Sequence, residues 1–301
     1  MRVFITGASG HIGSAVVPEL IETGHEVVAL SRSDAAAEAA QALGAQVRRG
    51  DLSDLAGLRD AAAEADAVVH LAFDHSLIPA GRFADAVAAD LDVVRAFGEA
   101  LAGSGKTFVG VGLASTGDPQ RDAVINANPR SAVARAILEL GERDVRTILI
   151  GVPPVTHSSR DRHGFIPQLI RIARDTGVSG YVDDGANRWP ASHTLDVARL
   201  FRLALEKAPS GARFSAAAEE GIAVREIAEI IGRHLGVPAE SVPADRAADH
   251  FKGFPFITLD ISMPETRTRE SLGWEPVHPG LIADLEEGHY FRSLDTHGAQ
   301  S

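Results

Sequence analysis

The sequence predicts an α/β fold, a doubly wound parallel sheet with a smaller C-terminal lobe. Three observations lead to this fold class. Short β-rich runs alternate with helical stretches in the first half of the chain, a glycine-punctuated turn follows the first run, and the alternation stops after Pro153 and Pro154. Strands and helices that alternate at this spacing form right-handed crossovers, which place helices on both faces of a parallel sheet.

The predicted elements follow one another in a regular order. Short β-rich composition predicts strands at 2–5, 26–30, 46–49, 67–71, 107–111 and 147–150. Amphipathic or alanine-rich segments predict helices at 11–22, 35–40, 55–63, 83–101 and 130–140. After the two prolines, helices are predicted at 165–175, 195–205, 224–235, 264–272 and 281–288.

A motif of three spaced glycines, Thr-Gly-Ala-Ser-Gly-His-Ile-Gly, directly follows the first predicted strand. Gly7 allows the tight turn out of the strand, Gly10 lets the backbone approach a pyrophosphate, and Gly13 lets a helix lie against the strand. His11 and Ile12 stand where that helix starts, and its N-terminal N–H groups and positive end suit phosphates. The motif therefore predicts a dinucleotide-binding Rossmann domain.

The chain divides into two predicted parts. Residues 1–155, completed by about 190–212, form the dinucleotide-binding domain. Residues 156–189 and 213–291 form a smaller substrate lobe, and the polar residues 292–301 form a disordered tail. Because a doubly wound sheet binds its ligand at the carboxyl ends of the strands, the lobe is expected to cover that crevice.

The end of the second predicted strand carries the residues that select the dinucleotide. Arg32 lies 19 positions after Gly13, where the residue that recognises the ribose is expected. An acidic residue there would bind the 2′-hydroxyl of NAD, whereas Ser31 and Arg32 offer a hydroxyl and a guanidinium suited to a 2′-phosphate. Asp34 lies two positions beyond this site in the sequence, so it would contact the ribose only if the loop shifted. The sequence favours NADP(H), with NAD(H) as the alternative.

Composition narrows the classes of function. The 301 residues carry a net charge of −12, which argues against a nucleic-acid partner. The absence of cysteine excludes disulfides, thiolate nucleophiles and cysteine-bound zinc. No apolar run reaches the roughly 20 residues that span a bilayer. We therefore expect a cytoplasmic protein without membrane, nucleic-acid or metal partners.

Further short motifs follow the glycine turn. They are Gly-Asp-Leu at 50–52, His-Leu-Ala-Phe at 70–73, Asn-Arg-Trp-Pro-Ala-Ser-His at 187–193 and Leu-Gly-Trp-Glu-Pro at 272–276. Together with the glycine turn they resemble the extended short-chain dehydrogenase/reductases, the NAD-dependent epimerase/dehydratase group, over roughly residues 1–290.

That resemblance implies contacts with the dinucleotide beyond the glycine turn. It implies that Asp51 and Leu52 contact the adenine. It also implies that Leu71 and Ala72 line the path of the ribose and nicotinamide. Asp51 has a simpler alternative role as an acid at a helix N-terminus near Asp54.

The chain lacks the catalytic pair typical of that group, Tyr-x-x-x-Lys on one helix face, since neither tyrosine is followed four positions later by a lysine. Alignment of the corresponding helix places Arg130 at the tyrosine position and Ala134 at the lysine position. A one-residue slip gives Ser131 and Arg135 instead. Arginine donates protons poorly, but it stabilises a developing oxyanion. The alternative is an exposed arginine at a helix start.

The catalytic serine or threonine of that group follows the fifth strand. The aligned positions here are Leu113 and Ala114, which have no hydroxyl. Ser115 or Thr116 takes the role only if the loop shifts, and otherwise each is an ordinary loop residue.

Four residues of the C-terminal part are candidates for contact with a small-molecule substrate. They are His157, Phe165, Trp189 and His193. The histidines can donate a proton near neutral pH, and the aromatic rings can form apolar walls. Each residue type also suits a purely structural role in a core or on a surface.

The sequence therefore predicts an NADP(H)-dependent oxidoreductase of an atypical, extended short-chain type that acts on a carbonyl or alcohol of a small organic substrate. Two alternatives stay open. One is a non-catalytic NADP(H)-binding sensor, since the usual proton relay is missing. The other is an NAD(P)-dependent epimerase or dehydratase. Members of the group that the chain resembles often form dimers, which leaves a homodimer open.

Overall fold

Seven parallel strands form the central sheet of the larger of two structural units. The computed structural model describes residues 1–78, 80–112, 127–264 and 266–292. The larger unit comprises Met1–Val152, Thr194–Ala217 and Met263–Pro276. The smaller unit comprises Pro153–His193, Ala218–Ser262 and the residues from Val277.

The central sheet is built from short, apolar strands. They are β1 (Arg2–Thr6), β2 (Glu26–Ser31), β3 (Gln46–Arg49), β4 (Ala67–His70), β5 (Thr107–Gly112), β6 (Arg146–Gly151) and β10 (Ala212–Ser215). Their order is β10-β6-β5-β4-β1-β2-β3, and every neighbouring pair is parallel. The chain runs outward from β1 to β3 and returns to β4 on the other side of β1, where such sheets bind ligands. The predicted doubly wound α/β fold is confirmed.

The described helices of the larger unit are α1 (Gly13–Glu22), α2 (Asp34–Ala42), α3 (Leu55–Glu64), α4 (Phe83–Leu101), α5 (Ser131–Glu139), α7 (Thr194–Lys207) and α10 (Thr266–Leu272). Among them, α1 packs against α7, and α4 packs against both α3 and α5. The buried Phe97 of α4 packs its ring 6.1 Å from Phe4 and 5.7 Å from Phe108. In the described parts of the chain, none of the helices has the length and apolar composition of a membrane span.

The segment Met263–Pro276 belongs to the larger unit, whereas the sequence-based boundaries put it in the smaller lobe. Buried polar contacts account for the difference. The Thr268 hydroxyl accepts a hydrogen bond from Ser215 N and donates one to Ser215 O, both over 2.9 Å. The indole N–H of Trp274 donates to Asp196 O over 2.9 Å, and both residues are completely buried. These bonds fasten the segment beside β10 and α7.

The described residues of the smaller unit form two small sheets and four α-helices. In one sheet, β9 (Arg188–His193) pairs with β7 (Val155–His157) in parallel and with β11 (Glu219–Ala223) in antiparallel orientation. In the other, β8 (Ser179–Val182) and β12 (Ala239–Val242) are parallel. The helices are α6 (Phe165–Thr176), α8 (Val224–Leu235), α9 (Ala247–His250) and α11 (Leu281–Glu286). The unit has its own apolar core, in which Trp189 clusters with isoleucines of α6 and α8.

Candidate functional site

The turn between β1 and α1 is tightly packed around its glycines. Gly7 has a φ of +75°, and a Cβ there would lie 2.8 Å from Ala72 N. Gly10 is exposed and donates its N–H to Gly7 O over 3.0 Å. At Gly13 a Cβ would overlap Gly7 O and lie 2.8 Å from Ala8 Cα. Side chains at Gly7 or Gly13 would therefore displace this turn, as expected for a backbone cradle that approaches a pyrophosphate.

His11 and Ile12 connect the glycine turn to α1, which begins at Gly13, two residues later than predicted. The imidazole Nε2 of His11 lies 3.0 Å from Thr194 Oγ1, at the first residue of α7. The Ser14 hydroxyl donates to His11 O over 3.0 Å. These bonds fix the backbone just before the helix N-terminus, whose N–H groups suit a phosphate.

The ends of the neighbouring strands β2 and β3 carry a buried hydroxyl and two arginines. Ser31 is buried, and its Oγ has no hydrogen-bond partner among the described residues. Arg32 follows it and is exposed. Arg49 of β3 is the register partner of Ser31 and forms an ion pair with Asp34. Sequence reasoning missed Arg49, because its position depends on how β3 pairs with β2. This set of donors fits a phosphate group.

Asp51 forms a local turn and does not cap a helix. Its Oδ1 accepts hydrogen bonds from the N–H and the hydroxyl of Ser53, over 2.7 and 2.6 Å. These bonds hold the pKa of Asp51 below its usual range, and the charge of Arg32 adds to the effect. Asp54 is the residue that caps α3. The acid at the N-terminus of α3 is therefore Asp54 and not Asp51.

Leu71 and Ala72 lie beside the glycine turn. The N–H of Leu71 donates to Thr6 O and that of Ala72 donates to Thr6 Oγ1, both over 3.2 Å. These bonds fasten the segment after β4 to the end of β1. Leu52 follows β3 instead and packs, partly buried, against the core of the larger unit.

Arg130 stands directly before α5 with its guanidinium over an aromatic ring. Its guanidinium carbon lies 4.2 Å from the centre of the Phe73 ring, a cation–π contact. A guanidinium nitrogen lies 3.9 Å from Asp90 Oδ2. Burial lowers the pKa of Arg130, and the Asp90 carboxylate opposes this effect. Since its side chain is only 26% exposed, Arg130 is not a fully solvated arginine at a helix start.

Two further positions of the catalytic alignment, Ala134 and Arg135, lie on α5. Ala134 packs against the core of the larger unit, and Arg135 is exposed. Ser115 lies outside the described residues, as do Leu113, Ala114 and Thr116.

A buried chain of polar side chains leads to Arg130. His70, at the end of β4, has its Nδ1 2.6 Å from Thr6 Oγ1 and its Nε2 2.8 Å from Asp90 Oδ1. The side chains of His70 and Asp90 are each 4% exposed. We call Thr6, His70, Asp90 and Arg130 the Arg130 relay. The sequence did not predict it, and its one signal is an aspartate among the buried positions of α4, which needs an internal partner.

His157 and His193 come together in a histidine-rich cluster of the smaller unit. His157 Nδ1 lies 2.8 Å from Asp284 Oδ2, and His289 Nε2 lies 3.0 Å from Asp284 Oδ1. The ring centre of His193 lies 5.5 Å from His157, edge to face, and 4.7 Å from the stacked ring of His278. Over the described ranges, no cluster of three or more histidine and acidic residues has an arrangement that would hold a metal ion.

Phe165 and Trp189 belong to an aromatic cluster that runs from the core of the smaller unit to its surface. The Phe165 ring lies 5.3 Å from Trp189, 4.9 Å from Phe254 and 5.1 Å from Phe256. Trp189 is fully buried and donates its indole N–H to Leu259 O over 3.0 Å. Phe256 is 41% exposed. Phe165 and Phe256 therefore form the outer end of the cluster.

The Tyr290 hydroxyl is held by two hydrogen bonds within the smaller unit. Its hydroxyl donates to Asp161 Oδ2 and accepts from Ser158 N, both over 3.2 Å. Burial and the charge of Asp161 raise the pKa of Tyr290 far above its usual value. The phenol therefore stays protonated at neutral pH and is a poor general acid or base.

Residues 3–124 match the model of the NAD dependent epimerase/dehydratase family, and this range includes the glycine turn and the end of β2. An uncharacterized protein of Schizosaccharomyces pombe is 39% identical over 97% of this chain and 100% of its own length. The 4-hydroxy-2-methyl-3-oxo-4-farnesyl-3,4-dihydroquinoline-1-oxide ketoreductase of Stigmatella aurantiaca is 28% identical over 83% of this chain and 79% of its own length.

Solved structures share the fold over almost the whole chain. The UDP-glucose 4-epimerase of Thermotoga maritima has a TM-score of 0.73 at 18% identity, covering 95% of this chain and 98% of that one. The dTDP-glucose 4,6-dehydratase of Streptomyces venezuelae, solved with NAD bound, has a TM-score of 0.70 at 22% identity, covering 95% and 96%. The family match and the full-length relative confirm the resemblance seen in the sequence: the chain belongs to the NAD-dependent epimerase/dehydratase family.

Proposed function

We propose that this chain is an NADP(H)-dependent oxidoreductase that interconverts a carbonyl and an alcohol on a small organic substrate. The proposal rests above all on the tightly packed glycine turn together with the buried hydroxyl and two arginines at the end of β2. The ketoreductase relative supports the class of reaction.

The end of β2 supports NADP(H) over NAD(H). A 2′-phosphate would give the buried Ser31 hydroxyl a partner and would accept charge-assisted bonds from Arg32 and Arg49. Asp34, which is the alternative residue for an NAD ribose, forms an ion pair with Arg49, and a 2′-phosphate would share the Arg49 guanidinium with it. A nicotinamide dinucleotide supplies the hydride when bound, and the protein binds it, orients it and polarises the substrate.

Arg130 takes an electrostatic role in this proposal. Its guanidinium keeps its positive charge in a protein, so it does not act as a proton donor. A fixed positive charge stabilises the negative charge that develops on a carbonyl oxygen as the carbonyl is reduced. The proton that completes the alcohol then comes from a histidine or from water.

The smaller unit supplies the substrate contacts in this proposal, through Phe165 and His193. Both are partly exposed. The fully buried Trp189 packs against the Phe165 ring, and the fully buried His157 packs against the His193 ring. A substrate of this kind would carry an apolar portion that packs on Phe165 and a polar group that His193 recognises.

Turnover distinguishes the oxidoreductase from a non-catalytic sensor. Purified protein is mixed with NADPH and a panel of aldehydes, ketones, 3-oxo esters and quinones, and the absorbance of the reduced nicotinamide is followed. We expect NADPH oxidation with at least one carbonyl class, and a kcat about 100-fold lower in Arg130→Gln. Arg95→Gln, at an exposed arginine of α4, is the matched control and should keep full activity. Tight NADPH binding without turnover across the whole panel would favour the sensor.

A further inference from the structure

The Arg130 relay joins four positions that lie far apart in the chain. Thr6 ends β1, His70 ends β4, Asp90 lies inside α4 and Arg130 precedes α5. The His70 imidazole and the Asp90 carboxylate are almost completely buried, so their hydrogen bonds must be made within the protein.

The backbone of Ala72 sets the direction of the hydrogen bonds. Its N–H donates to Thr6 Oγ1, and the Thr6 hydroxyl can then donate its own proton to His70 Nδ1, 2.6 Å away. An Nδ1 that accepts this proton leaves the N–H of the ring on Nε2. Nε2–H donates to Asp90 Oδ1 over 2.8 Å. This pattern leaves Oδ2 of the Asp90 carboxylate for Arg130.

The charge of Asp90 restricts where the Arg130 guanidinium lies. A buried carboxylate needs a positive partner, and the Arg130 guanidinium stands 3.9 Å from Oδ2. The ring of Phe73, 4.2 Å from the guanidinium carbon, favours the same place. Without the Asp90 charge, the long arginine side chain would regain rotamers that extend into water.

We propose that His70 and Asp90 are positioning residues that hold the Arg130 guanidinium in place for the reaction. Thr6 and Ala72 link this position to the glycine turn, so that the bound dinucleotide and the guanidinium share one rigid support. The inference rests on the proposed function, in which Arg130 faces the developing negative charge on the substrate. Neither His70 nor Asp90 exchanges a proton with the substrate.

Side-chain nitrogen NMR of the protein without dinucleotide tests the relay independently of activity. Arg130→Gln should shift the His70 Nε2 resonance, because the Asp90 carboxylate connects the two side chains. Asp90→Asn should raise the hydrogen-exchange rate of the Arg130 Nε–H to that of a solvated arginine. Arg95→Gln is the control and should leave His70 unchanged. An unchanged His70 resonance in Arg130→Gln would overturn the relay.

Kinetics then tests the positioning role. Asp90→Asn keeps an oxygen that can accept from His70 but removes the charge, and it should lower kcat about tenfold with an unchanged NADPH Kd. In the Arg130→Gln background, Asp90→Asn should cause no further loss, because its effect passes through Arg130. Asp92→Asn, at an exposed neighbour on α4, is the control. Additive losses would overturn the positioning role. Absence of turnover in the unmodified protein would instead refute the proposed function, and the NMR result would still decide the relay.

Discussion

Gly13 lets α1 approach the end of β1 so closely that no side chain fits between them. A Cβ at Gly13 would overlap Gly7 O, so even alanine would force the turn to open. An opened turn moves its N–H groups away from the place where a phosphate would bind. We predict that Gly13→Ala weakens NADPH binding at least about tenfold, measured by fluorescence titration.

Gly141→Ala is the matched control for that prediction. A Cβ at Gly141 meets no atom closer than 3.6 Å, so this variant should keep the NADPH Kd of the unmodified protein. An unaltered Kd in Gly13→Ala would exclude the glycine turn from the dinucleotide site.

Local and long-range residues differ in how far the sequence reveals them. The positions of Gly7, Gly13 and Ser31 at strand ends could be read from the sequence, because the two glycines follow β1 at a fixed short spacing and Ser31 ends β2. Arg49 and Asp90 were not, because the first depends on strand register and the second on a contact across 20 positions. The assignments of individual residues to cofactor and substrate stay predictions until binding is measured.

At the level of elements, β-rich composition and hydrophobic periodicity predicted individual strands and helices in both units. The predicted strand at 46–49 and the predicted helices at 83–101 and 224–235 coincide with β3, α4 and α8. The start of α1 is displaced because the bond from Gly10 N to Gly7 O extends the turn. The sequence predicted no strands in the smaller unit, since they are short and one of them, β9, contains Pro190.

We expect His75, in the short 3-10 helix His75–Leu77, to make the stability of the larger unit depend on pH. Partial burial and the charge of Arg130 lower the pKa of His75. In the unfolded chain the pKa of histidine is about 6.5. As the pH falls, the unfolded state therefore takes up this proton at a higher pH than the folded state does. The contribution of His75 to the free energy of unfolding is therefore present above about pH 6.5 and is lost as the pH falls below that value.

His75→Gln should remove this contribution. Between about pH 7.5 and about pH 5.5, the Tm of the unmodified protein should fall by about 1–2 °C more than the Tm of the variant. Scanning calorimetry of both proteins measures the difference. A Tm difference that stays constant across this range would contradict the role of His75.

At the scale of the whole molecule, the chain crosses between its two units several times. The change in pattern after Pro154 predicted the second unit, but not the return of Met263–Pro276 to the larger one. This segment is held by long-range hydrogen bonds, such as the one from the Trp274 indole to Asp196 O. Such bonds have no local signal in the sequence. The glycine turn lies within the residues that match the family, whereas a Tyr-x-x-x-Lys pair is absent from the sequence.

We expect this family member to bind NADP(H) through the end of β2, and calorimetric titration with NADPH and NADH measures that preference. We predict a Kd for NADPH about 10- to 100-fold lower than for NADH, because charged hydrogen bonds to the 2′-phosphate are lost with NADH. Arg32→Asp should shift the preference toward NADH, and the control Arg95→Gln should not. Equal affinities in the unmodified protein, or an unchanged ratio in Arg32→Asp, would contradict the claim.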